Sequence, residues 1–145
     1  MFHRRALLCA CAVVAIPVVA AAGELAARVE ASSGERLREW SRRVDQLIAS
    51  GELAVRLTRD DTMIPGRRHE RLTQLHRGVP VFGGELARQS DASGTLTVFG
   101  TFYEGIDVDV APRLRPADAE ARVAARGGRP FGSRGGPELL VLPLE

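Results

Sequence analysis

The sequence predicts an α+β fold in which one long helix precedes an antiparallel sheet. Apolar residues recur every three or four positions over residues 24–50, which is the period of an amphipathic helix. After Gly51 the period falls to two, and polar turns separate several strand-like segments. Because strands joined by short turns pair antiparallel, we expect a meander of four to five strands. A short helix–strand remnant follows it.

Residues 1–22 have the layout of a secretory signal peptide. A basic start is followed by an apolar stretch over residues 6–20, and small residues then offer a cleavage position before Gly23, with Ala20 and Ala22 in the recognition positions. We therefore expect a signal helix that is removed on export, and a secreted or periplasmic protein without a membrane segment in its mature form.

Charge and cysteine content narrow the classes of function. Arg4 and Arg5 supply the whole formal net charge of +2 and lie in the predicted signal, so the mature protein is electrically balanced. A balanced chain gives no support for nucleic-acid binding. Cys9 and Cys11 also lie in the signal, which predicts a mature domain with neither a disulfide nor a thiolate metal site. A lipid-modified Cys11 is a minor alternative.

The amphipathic helix is expected within residues 23–51. Ser32 and Glu35 fit a capping box, and Gly51 fits a helix end. Its apolar stripe is expected to pack on a sheet and consists of Leu37, Trp40, Val44, Leu47 and Ile48.

The strand-like segments begin directly after this helix and cover residues 53–58, 69–76, 79–88, 95–103 and 106–110. Pro80 lacks an N–H group, so it is expected at a strand start or a sheet edge. Gly83 and Gly84 are expected to form a bulge or bend, because glycine is unfavourable inside a regular strand. Asp91 and Gly94 are expected to form a tight turn.

The last part of the chain is predicted to hold a helix at residues 116–125 and a strand at residues 138–142. Pro116 suits the first turn of a helix, and Gly127 suits its end. Residues 126–137 are rich in Gly, Arg and Pro and read as a loop.

The polar residues do not suggest catalysis. His69 and Glu70 resemble the start of a zinc-binding H-E-x-x-H helix, but Thr73 stands where the second histidine belongs. In a strand, His69 and His76 point to opposite faces, so they cannot share a metal. Ser90 and Ser93 lie beside Asp91 in a turn, where such residues serve local hydrogen bonds. We predict neither a catalytic site nor a metal site.

One ordered set of residues carries a family resemblance: Arg71, Gln74, Gly78, Val79, Pro80, Val81, Gly83, Gly84, Asp91 and Gly94. Their order, R-x-x-Q, G-V-P-V and D-x-x-G before an apolar strand, resembles the fungalysin/thermolysin propeptide domain. The resemblance implies such a domain over residues 52–111. Residues 112–145 look like the start of a PepSY domain, truncated relative to that family.

The resemblance implies a propeptide that assists folding of a thermolysin-like zinc metallopeptidase domain and inhibits it without a covalent bond. No cofactor is expected in this chain, since zinc would belong to the associated protease domain, in cis or in trans. Three roles stay open: a fragment of a precursor, a free-standing inhibitor or folding helper, and an envelope binding module with no protease partner. Arg71 and Gln74 would either contact a partner or brace the adjoining loop.

Overall fold

The computed structural model describes residues 25–127 and 138–143, so the predicted signal peptide and its cleavage positions lie outside the described residues. The described part confirms the α+β class, with one five-stranded antiparallel sheet and two helices. In chain order the elements are β1 Leu25–Ala31, α1 Gly34–Ser50, β2 Leu53–Asp60, β3 Arg68–His76, β4 Val79–Asp91, β5 Gly94–Glu104 and α2 Pro116–Ala125.

The sheet has the order β1-β5-β4-β3-β2, and all neighbouring strands are antiparallel. The predicted meander is therefore confirmed as β2 to β5. Strand β1 adds to the β5 edge, whereas β2 lies at the opposite edge. Helix α1 joins these two edge strands and packs against the sheet between them.

The prediction of a helix from residue 24 onward is wrong for its first part, where β1 pairs with β5 from Leu25–Glu104 to Ala31–Val98. Inside β1, Val29 and Ala31 are buried while Arg28 and Glu30 are exposed, which is the alternation of a half-buried strand.

Helix α1 begins later than predicted, with Ser33 rather than Ser32 as its N-cap and with no side-chain capping bond. Its end is as predicted: Gly51 follows the last helical residue, and its N–H donates to the carbonyl of Ile48 at 3.2 Å. The predicted stripe faces the sheet, with Trp40, Val44 and Leu47 buried.

The hydrophobic core lies between α1 and one face of the sheet. Trp40 and Phe102 meet edge to face, with ring centroids 6.4 Å apart, and Arg43 lies over both rings. Ten buried residues form the core cluster: Val29, Ala31, Trp40, Val44, Leu47, Leu53, Leu72, Leu86, Val98 and Phe102.

An ion-pair network joins α1 to the sheet beside this core. The Arg88 guanidinium on β4 donates to Glu70 on β3 and to Asp45 on α1, both at 2.6 Å. Burial disfavours the charged guanidinium, but the hydrogen bonds to the two carboxylates outweigh this effect and raise the pKa of Arg88. The network therefore fixes the helix against the sheet.

The structure differs from the prediction after β5. Residues 106–110 are not a strand, although their apolar and acidic residues alternate, and Val108 is exposed. Helix α2 has the predicted bounds and buries no residue. In the last predicted strand, Val141 forms a single parallel bridge with Val81. Within the described residues, no helix is long and apolar enough to span a membrane.

Candidate functional site

The residues of the sequence motif lie in the β3–β4–β5 part of the sheet. Positions 78–84 adjoin Gln74 near the β3–β4 turn, whereas Asp91 and Gly94 form the turn at the opposite end of β4. Arg71 lies between these ends and pairs with Ala87. The structure therefore gathers the motif into one bulged region, one remote turn and one arginine in between.

The β3–β4 turn is a two-residue hairpin loop closed by the pair His76–Val79. Both loop residues are left-handed, with φ of 50° at Arg77 and 83° at Gly78. This combination is that of a type I′ turn, the geometry that best fits the twist of two antiparallel strands.

Strand β4 contains a wide bulge directly after this turn, as Gly83 and Gly84 predict. Leu75 pairs with Pro80 and Thr73 pairs with Glu85, so residues 81–84 of β4 lie opposite the single residue Gln74 of β3. On its other side, β4 is paired with β5 only from Leu86 and Gly100 onward.

Gln74 fills the gap that the bulge leaves beside β5. Its side-chain NH2 donates to the carbonyl oxygen of Tyr103 at 2.7 Å, and its Oε1 accepts from the Tyr103 N–H at 2.9 Å. The side chain is almost completely buried, at 4% exposure. A glutamine amide thus takes the place of a backbone pair, and we call this contact the Gln74 clamp.

The Gln74 clamp requires glycine at position 84 because there is no room for a side chain there, not because of the backbone angle φ. A Cβ atom there would lie 2.7 Å from Gln74 Oε1 and 2.9 Å from Gln74 Cβ. These distances are too short for carbon contacts, so any larger residue would displace the amide.

The bulge also turns two backbone groups of β4 toward the end of the described chain. The Phe82 N–H donates to the carbonyl of Val141 at 2.8 Å, and the Val141 N–H donates to the carbonyl of Pro80 at 2.9 Å. Val81 and Val141 are both buried at this bridge, at 2% and 8% exposure. Pro80 thus stands beside a strand start, as predicted, and acts as an acceptor.

Arg71 differs from Gln74, although the motif places them three residues apart. It is exposed and makes no hydrogen bond or ion pair with the described residues. The bracing role therefore fits Gln74. The Arg71 guanidinium lies on the sheet surface, without a partner among the described residues.

The turn at Asp91 and Gly94 closes the β4–β5 hairpin. Asp91 Oδ1 accepts from the backbone N–H and the hydroxyl of Ser93. These hydrogen bonds lower the pKa of Asp91. Both residues therefore serve the turn, as their sequence pattern predicts.

The two histidines are used in separate contacts. His69 Nε2 lies 2.9 Å from Asp61 Oδ2, whereas His76 Nε2 lies 3.1 Å from the carbonyl oxygen of Val108. Over residues 25–127 and 138–143, no three His, Cys, Asp or Glu residues are grouped so as to hold a metal ion. Each histidine therefore serves a separate local contact.

Comparison with known families gives one result. The family model of the Fungalysin/Thermolysin Propeptide Motif matches residues 54–102. The propeptide motif therefore spans the meander, from the second residue of β2 into β5, and covers about a third of the chain. It includes every motif residue named above. The motif is one of propeptides and not of catalytic domains, so a chain without enzymatic activity fits it. No curated protein and no solved structure matches the chain.

Two contacts of this region were not foreseen from the sequence. Gln74 binds the main chain of Tyr103, and Val81 pairs with the main chain of Val141. Main-chain contacts do not depend on the residue type, so no sequence pattern predicts these two. The resemblance of residues 112–145 to a PepSY domain stays a prediction.

Proposed function

We propose that this protein is the propeptide region of a secreted thermolysin-like zinc metallopeptidase, and that it acts as a non-covalent inhibitor and folding helper of the protease domain. The match of the propeptide motif to residues 54–102 carries this proposal. The fold supports it, since the motif residues shape the backbone of a sheet.

The mechanism would be that of a preformed docking surface. The clamped bulge and the short turns hold the meander in one shape, so little conformational entropy is lost when a partner binds. A protein that binds the native protease, but not its unfolded chain, shifts the folding equilibrium toward the native state. The same contact would cover the substrate cleft. Zinc would belong to the protease domain.

Adding the purified chain from Gly23 to Glu145 to thermolysin tests both activities. We expect inhibition of peptide hydrolysis at micromolar concentration, and a higher yield when the denatured protease is refolded in its presence. The Gly84→Val variant disrupts the Gln74 clamp, because its side chain collides with Gln74. Both the inhibition and the gain in refolding yield should therefore weaken. A wild-type chain that neither inhibits nor improves refolding would refute the proposal.

A free-standing inhibitor acting in trans is the alternative form of the same function. Reading the gene beyond the codon of Glu145 distinguishes them, because an in-frame H-E-x-x-H sequence indicates a protease domain in cis. Export is tested separately: the mature N-terminus of the secreted or periplasmic protein should be Gly23.

A further inference from the structure

The loop between β2 and β3, residues 61–67, exposes apolar side chains at its tip. Met63 is 85% exposed and Ile64 is 43% exposed, and Pro65 follows them. Met63 is among the most exposed of the large apolar side chains that the structure describes. We call residues 63–65 the apolar tip. Neighbouring apolar residues held in water commonly mark a binding surface.

The first half of this loop is fixed by Asp61. Its Oδ1 accepts hydrogen bonds from the backbone N–H groups of Met63 at 2.8 Å and of Ile64 at 3.0 Å. Its Oδ2 lies 2.9 Å from Nε2 of His69 at the start of β3. One carboxylate thus ties the backbone of the apolar tip to the sheet.

The second half of the loop is a hydrogen-bonded turn. The Arg67 N–H donates to the Ile64 carbonyl at 3.2 Å, with Pro65 and Gly66 between them. Gly66 has φ of 79°, which the third position of a type II turn requires and which glycine adopts without strain. The Asp61 N–H donates to the Arg67 carbonyl at 2.8 Å and closes the loop.

These hydrogen bonds hold the backbone of the loop in one shape, although the Met63 side chain is almost entirely exposed. A flexible apolar loop would fold back onto the protein or lose entropy on binding, whereas this one is already ordered. Methionine also suits contact surfaces, because its unbranched, polarisable side chain adapts to the shape of a pocket.

The flanks of the loop are predominantly basic. Arg59 and Arg68 are exposed and stand beside the loop, and neither forms an ion pair within the described residues. Arg67 is half-buried and its charge acts on Asp91, so it is not one of these flanking arginines. Asp60 is the exposed acid beside them, since Asp61 lies against His69 and Asp91 is half-buried near Arg67. A complementary partner surface would be apolar at its centre and acidic at its rim.

We propose that the apolar tip docks the protein on the protease domain by inserting Met63 and Ile64 into an apolar pocket with an acidic rim. This inference rests on the proposed function and names the surface that performs it. The tip supplies the apolar contact, Asp61 keeps it in the bound shape, and the flanking arginines orient it.

Binding of the chain from Gly23 to Glu145 to thermolysin, measured by inhibition and by calorimetry, tests the inference. The Met63→Ser/Ile64→Ser double variant should raise the Kd about 10- to 100-fold, as expected for loss of central apolar contacts. Asp61→Ala should raise it about threefold to tenfold, because the tip must then be ordered on binding. Val123→Ser, which alters an exposed apolar residue of α2, is the matched control and should leave the Kd unchanged.

The outcomes separate the two proposals. If the wild-type chain does not bind the protease, the proposed function fails and this inference fails with it. If the wild-type chain binds and the double variant binds equally well, only the apolar tip is refuted. Thermal unfolding confirms that each variant is folded, which is expected because the substituted tip side chains lie outside the core.

Discussion

A side-chain amide carries the same donor and acceptor pair as a peptide group, which is why Gln74 can stand in for a missing strand contact. Its two hydrogen bonds satisfy both main-chain groups of Tyr103 at the place where β4 has left β5. Without them, these groups would face a partly buried gap with no partner among the described residues. The stabilisation therefore comes from avoiding unpaired polar groups.

Replacing Gln74 with leucine should lower the free energy of unfolding by about 2–4 kcal/mol, because the Tyr103 N–H and carbonyl both lose their partner. The control is Gln46→Leu on the exposed side of α1, which should change it by less than about 0.5 kcal/mol. Urea unfolding of both variants measures the difference. Equal effects would show that the clamp does not stabilise the fold.

Asp61 should make stability depend on pH in the acidic range. Its hydrogen bonds, first to His69 and then to Met63 and Ile64, lower its pKa from the ordinary 3.8 to about 2. The folded state thus holds this proton more weakly than the unfolded chain. The stabilisation is fully present above pH 4, and it disappears as the pH falls from about 4 through about 2.

The Asp61→Asn variant isolates this contribution. The difference in unfolding free energy between wild type and variant should shrink as the pH falls from about 4 to about 2. Urea titrations at fixed pH values across this interval measure it. A difference that stays the same at pH 2 would contradict the assignment.

At the residue scale, the sequence predicts part of the site. Arg71 and Gln74 are three positions apart in a strand, and an odd spacing places one on each face, so one exposed and one buried member is foreseeable. The clamp itself is not. It depends on a bulge of residues 81–84 opposite one residue, and no local pattern encodes that width.

At the element scale, the two errors have a common cause. Strand β1 is rich in alanine and directly precedes the apolar stripe of α1, so its local propensity favours a helix. It is a strand because it pairs with β5, which lies far away in the sequence. Residues 106–110 show the reverse case: they alternate as a strand does, but no described strand pairs with them. Turns were predicted well, because their residues act locally.

At the scale of the whole molecule, the propeptide motif and the folded unit are not the same. Five of the ten core residues lie in the meander, and the other five belong to β1 and α1, outside residues 54–102. Arg88 further ties the meander to α1 through Asp45. Leu53 lies just before the matched residues, so the motif itself supplies four of the ten core residues.

A fragment limited to residues 52–111 should consequently fail to fold. Its five core side chains would lose the cover of α1 and β1, at about 1.5–3 kcal/mol each, or about 7–15 kcal/mol together. That loss matches or exceeds the whole stability of a typical domain. The fragment from Gly23 to Gly127 keeps all ten residues and serves as the control, with cooperative urea unfolding expected. Cooperative unfolding of the shorter fragment as well would mean that the meander is an independent domain, and that α1 covers a core able to form without it.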